Sequence, residues 1–116
     1  MTTKTSAQLS ASVLRYLGVI DATESADSDD ETYIGGVYED VYEEMADKEL
    51  VYWPLNSIPG PIFNAMRDLI ANEVANAYGQ EQRPEDQQAR KVVLMKPFHR
   101  HVQKRSSGLP VKGKYF

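Results

Sequence analysis

Apolar residues recur at three- and four-residue steps in four separate stretches of the chain, and residues that start or stop helices separate those stretches. From Thr5 to Gly18, Leu9, Val13 and Leu17 share one face with Leu14 beside them, which predicts a first helix. Thr5 and Gln8 have the spacing of a capping box, and Gly18 suits the left-handed residue just past a helix end. Val19 and Ile20 are expected to tuck inward before a polar loop from Asp21 to Asp27. From Ser28 to about Lys48, Ile34, Val37, Val41 and Met45 form a second seam, flanked by Tyr38 and Tyr42. Ser28 and Glu31 have capping-box spacing here too, and the acids of the first turn suit the positive end of the helix dipole. Gly35 and Gly36 each weaken this helix by roughly 1 kcal/mol relative to Ala. Either another backbone comes close there, or two poor helix formers are simply tolerated.

Between Leu50 and Ile58 the pattern is not helical. Pro54 and Pro59 push the residues before them toward extended backbone, and Val51, Tyr52, Trp53 and Leu55 make an apolar strap. The expected role is a connection that lays Trp53 over the helices, with a pocket lined by Trp53 as the other reading. The most apolar stretch follows, from Ile58 to Gly79. Ile62, Met66, Ile70, Val74 and Ala77 recur on one face, widened by Phe63, Leu69 and Tyr78, between Pro61 near the start and Gly79 at the stop. Its stripe is broad enough to predict a central helix touched from more than one side. A fourth helix opens at Pro84, Glu85 and Asp86, with Ala89, Val92, Val93 and Met95 as its apolar side and Leu94 nearby. Pro97 is expected to kink or end it, and the segment from Phe98 to Lys104 can resume as a helix. Ser106, Ser107, Gly108 and Pro110 mark a linker to a last segment, Leu109 to Phe116, too short to carry a core of its own. The resulting expectation is an all-α fold: a small four-helix bundle over 1–105, with an extended strap between the second and third helices, and an extended C-terminal arm over 106–116.

Composition changes little of this. The chain has 116 residues, 41% hydrophobic and 26% charged, which is one domain of ordinary globular type. No run approaches a membrane span, the start of the chain does not read as a signal peptide, and no cysteine is present for a disulfide or thiolate site. Charge does add something. Between Asp21 and Leu50 the sole base is Lys48 among many acids, whereas from Arg90 onward there are only bases. Such polarity suits partners of opposite charge, including other copies of the chain, and otherwise marks two solvated faces.

Candidate chemistry is sparse. His99 and His101 flank Arg100 without a carboxylate or thiol at zinc spacing, so neither a metal nor another cofactor is expected. Glu39, Glu43 and Asp47 form an i, i+4 row with Asp40 and Glu44 alongside, which reads as solvation rather than a pair of catalytic carboxylates. No phosphate-binding or nucleophile-elbow motif occurs, and an enzyme is not expected. The basic C-terminal region with Phe98, His99 and His101 interleaved is a weak nucleic-acid signal in a chain that is acidic overall.

Taken in order, several segments resemble a known family. They are the capped first helix with its turn RYLGVID (Arg15 to Asp21), the acidic start ADSDDE (Ala26 to Glu31) and the strap LVYWPLNSIP (Leu50 to Pro59). The Ala-rich helix ending AYGQ (Ala77 to Gln80), a kinked basic helix and the terminal PVKGKYF (Pro110 to Phe116) complete them. The chain is similar to the head–tail adaptor proteins of tailed bacteriophages and gene transfer agents, also called connector, head-completion or packaged-DNA-stabilisation proteins. The resemblance implies a virion protein of the neck, made in the host bacterial cytoplasm. It implies a homo-oligomeric ring, usually dodecameric, that binds the portal protein and offers a docking surface to a tail or stopper protein. Double-stranded DNA would pass through without sequence-specific contact, and no membrane is involved. It also implies that the C-terminal segment reaches the portal or a neighbouring subunit, which makes Leu109, Pro110, Val111, Lys112, Lys114, Tyr115 and Phe116 candidate contact residues. Within such a ring Glu39, Asp40, Glu43, Glu44 and Asp47 are candidate lumen-facing acids, an outer solvated face being the other placement. The rival expectation is a small cytoplasmic helical regulator that binds protein or nucleic acid.

Overall fold

The computed structural model describes residues 2–107, and within them the chain is mostly helical. The helices are α1 (Ser6–Tyr16), α2 (Ser28–Asp47), α3 (Gly60–Val74) and α4 (Pro84–Ser107), with a 3-10 turn over Ala75–Tyr78 and a two-stranded antiparallel ladder of β1 (Thr3–Lys4) with β2 (Ile58–Pro59). The candidate arm residues Leu109, Pro110, Val111, Lys112, Lys114, Tyr115 and Phe116 lie outside the described residues.

The α1 capping box forms as its spacing predicts. Gln8 donates its backbone N–H to Thr5 Oγ1 at 3.2 Å, and Thr5 donates its own to Gln8 Oε1 at 2.8 Å. Gly18, at φ 79°, turns the chain out of the helix. The capping box expected at Ser28 and Glu31 does not form. Ser28 is already helical, Asp27 is the cap, and its carbonyl rather than a side chain receives the Glu31 N–H at 2.9 Å. Three acids in that first turn face the helix dipole instead.

α3 packs against all three other helices, and its buried side chains Ile62, Phe63, Met66, Leu69, Ile70 and Val74 are the centre of the core. Leu9, Val13, Leu14 and Leu17 of α1 and Ile34, Tyr38, Val41 and Met45 of α2 close over them. The α2 seam is rotated from the expected one: Tyr38 is in the core and Val37 at its margin. The α3 stripe ends sooner than expected. At Val74 the backbone tightens into the 3-10 turn, which breaks the 3.6-residue phase and leaves Ala77 exposed. Val19 is likewise outside, and only Ile20 packs on the core.

The largest departure is α4. It continues through Pro97, so the segment from Phe98 is helical, and it runs on to Ser107, into the expected linker. The bond Pro97 cannot donate would go to the carbonyl of Val93, a residue on the exposed side of the helix. The face of α4 is also different. Leu94, Met95, Phe98 and Val102 turn inward, whereas Ala89, Val92 and Val93 point out. The inward stripe includes the polar residues Gln87 and Lys91 because both are partnered. Gln87 Nε2 donates to the Asn72 carbonyl at 2.7 Å, and Asn72 Nδ2 donates to the Gln87 carbonyl at 3.2 Å. Lys91 Nζ sits 3.3 Å from Glu44 of α2 and 3.9 Å from Glu73 of α3.

Candidate functional site

The strap is held from below by two tyrosines one α2 turn apart. Tyr38 Oη donates to the carbonyl of Leu55 at 2.7 Å and accepts from Trp53 Nε1 at 3.4 Å. Tyr42 Oη donates to the carbonyl of Trp53. Asn56 Oδ1 accepts the Ser6 N–H at 2.7 Å, so the strap also fastens the start of α1. Beyond Asn56 the chain enters β2, and Gly60 donates to the Thr2 carbonyl at 2.8 Å; a Cβ at Gly60 would approach that oxygen to 3.3 Å. Trp53 is thus a core residue, 3% exposed, rather than the wall of a pocket. Burial pushes the Tyr38 hydroxyl up to about 12. Tyr78, which donates to Asp30 Oδ1 at 2.9 Å, is also raised to about 12, first by burial and then by that carboxylate.

The exposed side of α2 is acidic, and that of α4 is basic beyond its acidic first turn at Glu85 and Asp86. Glu39, Asp40, Glu43, Glu44 and Asp47 are all exposed on α2. Among the described residues Glu44 alone of these five has an ion-pair partner, Lys91 at 3.3 Å and Lys48 at 3.7 Å. The outermost line of α2 runs through Thr32, Gly36 and Glu43, and a Cβ at Gly36 would meet nothing within 4 Å. Gly35 is little tighter, with Ser6 Oγ at 3.8 Å, so the intrachain close approach considered for the glycine pair is absent. A shallow depression lined by Thr32, Tyr33, Gly36, Val37, Glu39 and Asp40 occupies this face. On α4 the outward line is Ala89, Val93, Lys96 and Arg100, with Val92 and Val93 at 57% and 58% exposure. Sequence reasoning missed this apolar-to-basic face by assigning its valines to the core. The signal was available in the second, interleaved stripe of Gln87, Lys91, Leu94 and Phe98.

His99 is exposed, and His101 stacks on Tyr52 with Nε2 2.9 Å from the hydroxyl. Among the described residues no group of three or more His, Asp or Glu side chains is arranged to hold a metal ion, and no helix is long and apolar enough to cross a membrane. Two further grooves are a cleft of about 470 Å³ bounded by Lys4, Gln8, Arg15, Glu31 and Phe63, and a smaller one of about 250 Å³ beside Asn72 and Arg90. Neither assembles a nucleophile with a base, or carboxylates facing each other. No family model, curated protein or solved structure matches this chain.

Proposed function

We propose that the chain is the subunit of a head–tail adaptor ring, an all-α four-helix bundle that sits beneath the portal of a tailed phage or gene transfer agent and completes the head for the tail or stopper. The observation that carries this reading is the pair of oppositely charged outward faces on a rigid helical body, one acidic on α2 and one apolar-to-basic on α4. Two different faces that complement each other produce head-to-tail contacts, which close into rings when the rotation between copies allows. The strap tied down by Tyr38 and Tyr42 fits a body that must keep its shape while DNA passes. In this reading the segment from Leu109 to Phe116 contacts the portal or the next subunit, with Tyr115 and Phe116 as anchors. The acids of α2 lie either on the lumen wall or between subunits.

The test is sedimentation of the purified chain with the portal protein of the same phage or element. The chain should travel with the portal in a fixed stoichiometry, and a truncation lacking Leu109 to Phe116 should not. A chain that ignores the portal and instead co-sediments with duplex DNA overturns the adaptor reading in favour of a small helical regulator.

A further inference from the structure

We infer that adjacent copies join by laying the outward face of α4 of one along the outward face of α2 of the next, with Val93 seated over Gly36. This deepens the ring reading and rests on it for the presence of neighbouring copies. Gly36 is an exposed, mid-helix glycine with open space where its side chain would be. Among the described residues nothing requires glycine there, and the helix is weaker for it. A helix from another molecule crossing at this point would use the missing side chain, since glycine lets two backbones approach closely. The counterpart face presents two exposed valines at mid-helix, apolar area that gains by being covered.

Charge favours one register and direction. With Val93 over Gly36 in a parallel pairing, Lys96 falls opposite Glu39 and Arg100 opposite Glu43, each one further turn along both helices. Ala89 falls opposite Thr32, and Asp86 opposite Asp29, one like-charge pair against two opposite-charge pairs. Reversing one helix would set Asp86 against Glu43 and leave Arg100 with Asp29 as the one opposite-charge pair on these lines. Among the described residues no ion pair within the subunit engages Glu39, Glu43, Lys96 or Arg100, so all four are available. The pairing assigns Glu39 and Glu43 to the subunit contact rather than to the lumen wall.

The chain contains no cysteine, which makes disulfide trapping clean. Thr32→Cys combined with Ala89→Cys, oxidised at high protein concentration, should give a ladder of dimer, trimer and higher multiples on a denaturing gel. Asp40→Cys with Ala89→Cys, the pair that the reversed orientation would join, should give none. Lys96→Glu in the Thr32/Ala89 background should reduce species above monomer at least fivefold, and adding Glu39→Lys should restore them. Gly36→Ala should raise the melting temperature of the subunit while weakening the ladder, a pair of opposite signs that a misfolded variant does not produce. If native mass spectrometry finds rings of the unmodified chain but the Thr32/Ala89 pair gives no ladder, this contact is wrong and the ring reading stands. If the unmodified chain stays single both at high concentration and with the portal protein, both fail.

Discussion

Replacing Tyr38 by Phe removes one oxygen from the centre of the strap clamp and leaves the ring in place. The side chain is 1% exposed, so water does not reach the gap freely, and the aromatic packing against the core is retained. Two groups lose their partner at once: the Leu55 carbonyl, 2.7 Å away, and the Trp53 indole N–H, 3.4 Å away. A buried polar group left without a partner costs about 1–3 kcal/mol. The longer indole bond contributes less than the carbonyl bond, and Leu55 is only half-buried, so the loss should be about 1–2 kcal/mol in total. For a domain of this size that lowers the melting temperature by roughly 4–8 °C. Tyr42→Phe should cost less, because Tyr42 is half-buried and strands the Trp53 carbonyl alone. Trp53 is the single tryptophan, so its fluorescence reports the strap while circular dichroism reports the helices. Urea unfolding of both variants, followed by both signals, is the assay. A Tyr38→Phe loss below about 0.3 kcal/mol, with unchanged tryptophan emission, would show that the hydroxyl does not hold the strap.

Three further outcomes follow from the same structure. Ile70→Ala, at a fully buried position on α3, should cost about 2–5 kcal/mol in urea unfolding, and a loss under about 0.5 kcal/mol would mean that α3 does not centre the core. Tyr38 and Tyr78, both raised from the ordinary 10.0 to about 12, bind their protons more tightly when folded, so their stabilisation is complete below pH 10 and drains away as pH rises through 12. Urea midpoints should therefore fall between about pH 10 and 12, less steeply for Tyr38→Phe and Tyr78→Phe, and identical slopes in all three proteins would contradict the assignment. Deleting Leu109 to Phe116 should leave the melting temperature unchanged and abolish retention by the portal, whereas a truncated chain that still completes heads would remove the arm from the contact.

The first three helices were legible because their local signals agree with their packing. Leu9, Val13 and Leu17 sit at helical spacing between a working capping box and a left-handed Gly18, and the fold keeps all of those roles. The strap was legible from Pro54 and Pro59, but its tie to α2 was not, because nothing in the sequence aims Tyr38 and Tyr42 at carbonyls that follow the helix by more than ten residues. The ladder between Thr3–Lys4 and Ile58–Pro59 is too short to leave an alternating pattern. On α4 two stripes interleave, and the one with Ala89, Val92 and Val93 faces out, although the one that faces in carries Gln87 and Lys91. Tertiary partners decided the matter: Asn72 satisfies Gln87, and Glu44 with Glu73 satisfies Lys91, so the polar stripe could turn inward. The acid row of α2 was correctly read as exposed, while the open space at Gly36 beside it became apparent only in the fold.

The most direct measurement is a cryo-electron microscopy reconstruction of the chain bound to its portal protein. The account predicts a closed ring of identical subunits on the portal, continuous with the DNA channel, in which α4 of each copy runs parallel to α2 of the next and Val93 covers Gly36. A portal that carries no density for the chain, or that binds isolated copies without contact between them, would contradict it.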